Sequence, residues 1–225
     1  MLHTALPFLI IDFDSTFIQV ESLEALAAYA LKGNPNKHAI LEEIARVTNL
    51  GMEGQITFAD SLARRLSLFQ PHKAHVNQVT QILRHEVSPS INRNRDFFVR
   101  FADRIYIMSN GFDEMICPVV QPFGIRESHV CANTFIYDEN GNIIGVEEDN
   151  FLAQNQSKVQ QLKELCLPGE IYAIGDGYTD YQMKEAGVAD KFFAFTENVA
   201  REPVTAKADS VIQSFDELID LLKVQ

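Results

Sequence analysis

The sequence predicts an α/β fold with a Rossmann-like core and a mainly parallel sheet. Short apolar runs alternate with stretches of helical pattern, and continuous apolar runs are typical of strands that are buried on both faces. The runs are FLIID at 8–12, RIYIMS at 104–109, IYAIGD at 171–176, KFFAF at 191–195 and, more weakly, ADSVIQS at 208–214. We therefore expect these segments to lie side by side as strands of one sheet.

A long helical insertion separates the first two predicted strands. About ninety residues lie between them, far more than one crossover helix requires. The helical stretches are ESLEALAAYALKG at 21–33, KHAILEEIARVTNLG at 37–51, TFADSLARRLSLF at 57–69 and HKAHVNQVTQILRHEV at 72–87. Terminal glycines and the pair Thr57 and Asp60, which resembles a capping box, are typical of helix boundaries. We predict a small helical cap at 18–90, inserted after the first strand of a core formed by 1–17 and 91–225.

A β-hairpin is predicted at 128–148, where the sequence reads SHVCANTFIYDENGNIIGVEE. Glu139 to Asn142 lie as a turn between two runs in which apolar and polar side chains alternate. We expect this hairpin to be attached to the core.

The bulk composition is that of a globular protein and argues against several partners. The 225 residues are enough for one domain with a smaller insert. A formal net charge of −12 argues against a nucleic-acid surface, because phosphate backbones are held by clustered basic side chains. The three cysteines have no CxxC spacing and are expected to be reduced thiols. The apolar stretch PFLII is too short for a signal peptide or a membrane span, so we expect a cytoplasmic protein without a membrane partner. The oligomeric state stays open.

Polar side chains follow the ends of three predicted strands. They are Asp12 and Asp14 after the first strand, Ser109-Asn110-Gly111 after the second, and Asp176 with Asp180 after the third. Because ligands of open α/β sheets bind outside the carboxyl ends of the strands, these groups are expected to converge. Each group alone could be a solvated acidic loop, an ordinary turn or a helix-capping loop. Together they favour a site for phosphate and a cation, since a negatively charged chain must attract an anion locally.

The order of these motifs resembles that of the haloacid dehalogenase phosphatases over nearly the whole chain. DFDST is similar to their first motif, MSNG to the second, Lys158 in NQSKVQQL to the third, and GDGYTD to the fourth. The resemblance implies a covalent mechanism that depends on Mg²⁺. In it Asp12 is the nucleophile that forms an aspartyl-phosphate, and Asp14 is the general acid and then the general base. The charge of Asp12 is expected to raise the pKa of Asp14 in the required direction.

The resemblance also implies which residues bind the metal ion. Magnesium prefers hard oxygen ligands, and Asp12, the main-chain carbonyl of Asp14 and Asp176 would supply some of them. Asp180 would either hold a metal-bound water or orient Lys158. The acidic residues of the first and fourth motifs are therefore expected to form one metal site.

The phosphate ligands implied by the resemblance come from the second and third motifs. Ser109 and the main-chain amides of Asn110 and Gly111 would bind phosphate oxygens. Lys158 would neutralise negative charge on those oxygens and on Asp12. Thr16 would support the loop of the first motif.

The insertion resembles that of the phosphoserine phosphatase branch of this family. In that branch a glutamate nine residues after the nucleophile binds the substrate ammonium, and Glu21 has this spacing. By the same resemblance, Met52 and Phe58 would line the apolar part of the pocket and Arg65 would clamp the carboxylate, a role that suits a planar bidentate donor. Alternatively, Met52 and Phe58 belong to the core and Arg65 lies on the surface.

Two motifs depart from the common pattern of that branch. Asn110 replaces the first glycine of SGG, and Tyr178 and Thr179 replace the Ala and Asn of GDGAND. Asparagine tolerates positive φ better than most residues, so we expect a phosphate-binding turn to be retained. Thr179 is expected to contact substrate or water and to bear on substrate identity.

The leading hypothesis is a magnesium-dependent phosphatase that hydrolyses O-phosphoserine to serine and phosphate. One alternative is a phosphatase or phosphotransferase that acts on another small phosphate monoester. A second is a non-catalytic binding protein on the same fold, against which the intact set of Asp12, Asp14, Lys158 and Asp176 argues.

Overall fold

The computed structural model describes residues 6–147, 149–154 and 157–223, without the side chains of Phe58 and Ser157. The predicted core ends at 1–5 and 224–225 lie outside these ranges, and so do Glu148 of the predicted hairpin and residues 155–156 of the third motif. Within the described ranges, no helix is long and apolar enough to cross a bilayer.

A parallel sheet forms the centre of the molecule. The strands are β1 Phe8–Ile11, β2 Ile105–Phe112, β3 Val130–Asn133, β4 Phe135–Tyr137, β5 Ile143–Val146, β6 Ile171–Gly175, β7 Lys191–Phe195 and β8 Ser210–Ile212. Six of them form one sheet in the order β3-β2-β1-β6-β7-β8, and all of its pairings are parallel. The predicted α/β class with a mainly parallel sheet is confirmed.

Helices connect these strands along the chain, and six of those described lie between β1 and β2. They are α1 Ser22–Ala30, α2 Lys37–Met52, α3 Phe58–Ser67, α4 Lys73–Leu83, α5 Pro89–Arg93, α6 Arg95–Arg100, α7 Asp113–Val120, α8 Ser157–Glu164, α9 Tyr178–Glu185, α10 Glu202–Thr205 and α11 Phe215–Leu222. Strand β1 is buried along its whole length. Leu9 and Ile11 pack in one apolar cluster and Ile10 in another, because successive side chains of a strand point to opposite faces. Apolar layers therefore cover both faces of β1.

The helical insertion leaves and rejoins the core through two neighbouring segments. Ile18 pairs with Val87, the Gln19 amide donates to the Glu86 carbonyl at 2.8 Å, and the Ser88 amide donates to the Phe17 carbonyl at 3.0 Å. This pairing ends α4 at Leu83 rather than at Val87. The division into a core at 1–17 and 91–225 and a cap at 18–90 stays a prediction.

Two local expectations require correction. The segment Ser109-Asn110-Gly111 is not a turn after the second strand, because β2 continues to Phe112 and Asn110 has no positive φ. The first run of the predicted hairpin is divided, since Val130–Asn133 pairs with β2 in the main sheet and only Phe135–Tyr137 pairs with β5. A four-residue strand is too short for its sequence to distinguish parallel from antiparallel pairing.

Candidate active site

The turn after β1 places two carboxylates at the carboxyl edge of the sheet. The Asp12 side chain accepts a hydrogen bond from the Phe13 amide at 2.7 Å, and Ser15 adopts a left-handed φ of 52°. The side chain of Phe17 is buried and anchors the turn in the core, where its ring centroid lies 5.0 Å from that of Phe123. Thr16 donates to Asp176 Oδ1 at 3.2 Å, so the turn is also tied to the loop after β6.

Lys158 lies between two carboxylates at the floor of the site. Its Nζ is 2.8 Å from Asp12 Oδ1 and 2.7 Å from Asp180 Oδ1, and all three side chains are buried. Burial acts to lower the pKa of Lys158, but the charges of Asp12 and Asp180 outweigh it and hold that pKa above its ordinary value. Both contacts of Asp12, from Phe13 and Lys158, are made to Oδ1. Among the described residues, its Oδ2 has no hydrogen-bond partner.

Three buried acids could hold a metal ion. Asp12, Asp176 and Asp180 each offer a carboxylate oxygen, and these oxygens lie within 4.8 Å of one another. Burial, together with the charge of Asp12, raises the pKa of Asp176 to about 6 and that of Asp180 well above its ordinary value. A Cβ on Gly175 would come within 2.2 Å of Asp180, so only glycine allows this approach. The donor set consists of hard oxygens and fits Mg²⁺.

Asp14 is held by the first residue of α1. Its two oxygens accept from the Ser22 amide at 2.9 Å and from the Ser22 hydroxyl at 3.0 Å. Burial and the charge of Asp12 raise the pKa of Asp14 to about 7, although Ser22 and Arg65 act in the opposite direction. A carboxyl group with this pKa exists in both protonation states near neutral pH, as acid–base catalysis requires.

The segment Ser109–Gly111 faces Asp14 across the pocket. A Cβ on Gly111 would lie 3.3 Å from Asp14 Oδ2, so glycine keeps the space between them open. The Gly111 amide donates to Ser109 Oγ at 3.0 Å. The Gly111 amide and the Ser109 hydroxyl thus both lie in the pocket. Each could donate to a phosphate oxygen in place of the hydrogen bond between them.

The insertion contributes a carboxyl group and a guanidinium group. Glu21 accepts from Ser15 Oγ at 2.7 Å, and burial and the charge of Asp14 raise its pKa well above the ordinary value. Arg65 is only 6% exposed and donates to the Ser61 carbonyl at 3.3 Å and to Thr48 Oγ1 at 3.4 Å. Burial lowers the pKa of Arg65, although the charges of Glu21 and Asp14 oppose this. No carboxylate oxygen lies within 4.0 Å of the Arg65 guanidinium among the described residues.

The predicted site residues come together around one small cavity of about 20 Å³. Its lining includes Asp12, Asp14, Glu21, Met52, Arg65, Ser109, Asn110, Gly111, Lys158 and Thr179. Asp176 and Asp180 do not line the cavity, but they cluster with Asp12, and Asp180 contacts Lys158. The Phe58 side chain is outside the described residues. Leu23 and Leu62 also line the cavity and were missed, because apolar residues on a helix carry no signal that separates pocket from core.

Arg201 is a further site residue that the sequence analysis missed. Its Nε donates to Asp176 Oδ2 at 2.9 Å, its Nη1 donates to Asn49 Oδ1 at 2.9 Å, and its Nη2 lies 3.8 Å from Glu21 Oε1. It therefore joins a candidate metal ligand of the core to helix α2 of the insertion. A single arginine in ENVAREP has no motif around it, so only the fold reveals these partners.

Comparison with known proteins gives consistent matches over nearly the whole chain. The model of the haloacid dehalogenase-like hydrolase family matches residues 9–185. The chloroplastic phosphoserine phosphatase of Arabidopsis thaliana is 32% identical, with 94% of this chain and 70% of the relative covered. A phosphoserine phosphohydrolase-like protein from Francisella tularensis subsp. tularensis SCHU S4 superposes with a TM-score of 0.86 at 34% identity, over 96% of this chain and 99% of that one. A phosphoserine phosphatase solved as a phospho-aspartyl intermediate analogue has a TM-score of 0.76 over 95% of this chain and 97% of that one, and at 23% identity it supports the fold alone.

Proposed function

The chain belongs to the haloacid dehalogenase-like hydrolases and is a phosphoric monoester hydrolase, and we propose that its substrate is O-phosphoserine. The observation that carries the substrate assignment is the buried guanidinium of Arg65, which within the described ranges has only long hydrogen bonds to neutral oxygens. The charges of Glu21 and Asp14 act on this guanidinium only from a distance. A buried charge without a carboxylate in direct contact is costly, so a ligand carboxylate would complete the site.

We assign the nucleophile to Asp12. Its Oδ1 is engaged by Phe13 and Lys158, which leaves Oδ2 to attack phosphorus. The attack forms a bond from Oδ2 to phosphorus and breaks the bond from phosphorus to the serine oxygen. Lys158 draws negative charge away from Asp12 and from the phosphoryl oxygens, and Asp180 holds the ammonium of Lys158 in place.

Asp14 transfers protons in both half-reactions. Its pKa of about 7 supports a protonated carboxyl that donates to the departing serine alkoxide and is then ionised. In the second half-reaction Asp14 accepts a proton from the water that attacks the aspartyl-phosphate, which releases phosphate and restores both acids. The two bonds from Ser22 fix the carboxyl group beside the leaving oxygen.

Magnesium is the cofactor that fits this site. In and around the pocket, acidic side chains outnumber cationic ones. The acids are Asp12, Asp14, Glu21, Asp176 and Asp180, and the cations are Arg65, Lys158 and Arg201. This excess of acids disfavours a phosphate dianion unless a cation is bound. Bound Mg²⁺ would supply charge that stabilises the phosphoryl oxygens, held by Asp12, Asp176 and the Asp14 carbonyl. Asp180 is assigned to orient Lys158 rather than to hold a metal-bound water, because both of its oxygens already accept hydrogen bonds, Oδ1 from Lys158 Nζ at 2.7 Å and Oδ2 from the Gly177 amide at 3.1 Å.

The remaining site residues are assigned to recognition of the amino-acid and phosphate portions of the substrate. Glu21 would pair with the ammonium and Arg65 with the carboxylate, while Met52 and Phe58 would contact the methylene group. Ser109, Thr179 and the amides of Asn110 and Gly111 would bind phosphate oxygens. The product would be serine, and we place the reaction in cytoplasmic serine biosynthesis as part of the same proposal.

The test compares kcat/KM for O-phosphoserine with two analogues. Phosphoethanolamine lacks the carboxylate and phosphoglycolate lacks the ammonium, so each leaves Arg65 or Glu21 without its ligand. We expect O-phosphoserine to be preferred over both when magnesium is present. Similar values for all three substrates would reduce the proposal to a phosphatase of small monoesters with unknown preference.

A further inference from the structure

Asn110 makes contacts that the proposed chemistry does not use. Its side chain donates from Nδ2 to the Leu152 carbonyl at 2.9 Å, and its own carbonyl accepts from Asn133 Nδ2 at 2.9 Å. Asn133 is fully buried and also donates to the Leu152 carbonyl at 3.2 Å. Two side-chain amides therefore donate to one carbonyl oxygen, and one of them belongs to Asn110, which lies between Ser109 and Gly111 in the chain.

The Leu152 carbonyl belongs to a short turn that is itself fixed. The Leu152 amide donates to Asn150 Oδ1 at 2.9 Å, and Asn150 Nδ2 donates to the Ala132 carbonyl at 2.6 Å. This turn lies a few residues before α8, the helix that carries Lys158. Asn110 and Asn133 thus connect the end of β2 to a turn that precedes the Lys158 helix.

The position of these amides coincides with an interruption in the sheet. Strand β2 pairs with β3 at Met108 and again at Phe112, with a shift of register between them. Ser109, Asn110 and Gly111 lie in that interval, so their peptide groups are not held by regular pairing with β3. The side-chain amides of Asn110 and Asn133 can supply the missing restraint, because each donates from Nδ2 of a short side chain to the Leu152 carbonyl.

We propose that Asn110 and Asn133 form an amide tie, the shared attachment of both side chains to the Leu152 carbonyl, that positions Ser109–Gly111 for phosphoryl binding. The inference rests on the proposed phosphate-binding role of that segment. Asn110 is then a positioning residue through its side chain, in addition to the contact proposed for its main-chain amide. A displaced segment would meet the phosphoryl group of substrate and the phosphate product alike, so affinity for both would fall together.

The experiment measures the Ki of inorganic phosphate and the kcat and KM for p-nitrophenyl phosphate in wild type, Asn110→Ala and Asn110→Leu. Leucine has the same number and branching of side-chain heavy atoms as asparagine but cannot donate a hydrogen bond, so together with alanine it separates the hydrogen bond from the space that the side chain fills. We expect both variants to raise Ki and KM in parallel by about fivefold, the scale of one neutral hydrogen bond, with a smaller change in kcat.

Asn94→Ala is the matched control, since Asn94 Nδ2 also donates to a carbonyl, that of Ser90 at 2.8 Å, away from the pocket. It should lower Tm without changing Ki. The amide tie is overturned if Asn110→Ala leaves Ki and KM unchanged, or if only Ala and not Leu changes them. A wild-type protein that hydrolyses neither O-phosphoserine nor the aryl ester and is not inhibited by phosphate would instead overturn the proposed function, and this inference with it.

Discussion

The two walls of the pocket differ in how their charges are compensated. The core wall consists of Asp12, Lys158, Asp176 and Asp180, and each of its acids is in contact with a cationic side chain. Lys158 bridges Asp12 and Asp180 at 2.8 and 2.7 Å, and Arg201 binds Asp176 at 2.9 Å. The cap wall consists of Glu21, Met52 and Arg65. There the Arg65 guanidinium is buried, and in the part of the chain that the structure describes it donates only to neutral oxygens, at 3.3 and 3.4 Å.

This difference separates chemistry from recognition. The core wall is preorganised before a ligand binds, because its acids and its lysine already hold one another in place. The cap wall contains a guanidinium that a ligand carboxylate can pair with, so binding energy from the part of a substrate beyond its phosphate is available there. A phosphate ester without an amino-acid group should therefore use the first wall and gain little from the second.

The largest effect is expected from removing the nucleophile of the core wall. Asp12→Asn is nearly isosteric and should fold, yet an amide cannot form the acyl-phosphate, so turnover should fall by about a thousandfold or more. The measurement is kcat for O-phosphoserine, with Tm to verify folding. Asp103→Asn is the control, since it removes an exposed pairing with Arg126 far from the site and should leave kcat unchanged. Retention of a tenth of the activity in folded Asp12→Asn would contradict the covalent mechanism.

Removal of magnesium, which is proposed to bind at the core wall, should lower turnover by a comparably large factor. Chelation should abolish turnover and Mg²⁺ should restore it, whereas Ca²⁺ should restore little, because it takes more ligands at longer distances. Full activity after exhaustive chelation would exclude the proposed metal dependence.

The buried acids also predict how stability depends on pH without metal. The pKa values of Asp14, about 7, and Asp176, about 6, lie above those of an unfolded chain near 4. Between these limits the folded state binds more protons than the unfolded state, so this contribution to stability is present at low pH and is lost as pH rises from about 4 to 7. Tm in a chelator should therefore fall over that range. Mg²⁺ should raise Tm most at its upper end, and an equal increase at every pH would contradict this account.

Substitutions in the cap wall should change substrate specificity rather than the rate of phosphoryl transfer. Glu21→Gln and Arg65→Ala should each reduce the preference for O-phosphoserine over the analogue that lacks the matching group. Leaving a buried charge unpaired costs about 2–5 kcal/mol, so the preference should narrow by about thirtyfold or more. Hydrolysis of an aryl phosphate should change much less.

Arg64→Ala provides the matched control for Arg65, because the two residues are adjacent on α3 and Arg64 is exposed. It should leave the substrate ranking intact. An unchanged ranking in both Glu21→Gln and Arg65→Ala would remove these residues as the recognition pair.

The positions of the pocket residues could be predicted from the sequence only in part. Asp12 and Asp176 follow strand ends, so pattern and topology together predicted that they would meet, whereas the place of Lys158, on helix α8, was implied only by the family resemblance. The extension of β2 through Gly111 and the transfer of Val130–Asn133 to the main sheet depend on long-range pairing, which local pattern does not contain. Arg201 was missed for the same reason, since its three partners come from distant parts of the chain.

Arg201 tests whether the walls act independently, and the smallest effect is expected there. Its guanidinium binds Asp176 on the core wall and Asn49 on α2, and it lies 3.8 Å from Glu21. Lysine keeps the charge but cannot span these partners, so Arg201→Lys should lower kcat/KM for O-phosphoserine by about three- to tenfold. Asn49→Ala removes only the bond to the insertion and leaves the contact with Asp176. A similar loss in both variants would indicate that Arg201 acts by joining the walls, whereas a loss in Arg201→Lys alone would assign its effect to Asp176 and Glu21. If neither variant changes kcat/KM, the walls are independent and Arg201 has no part in catalysis or recognition.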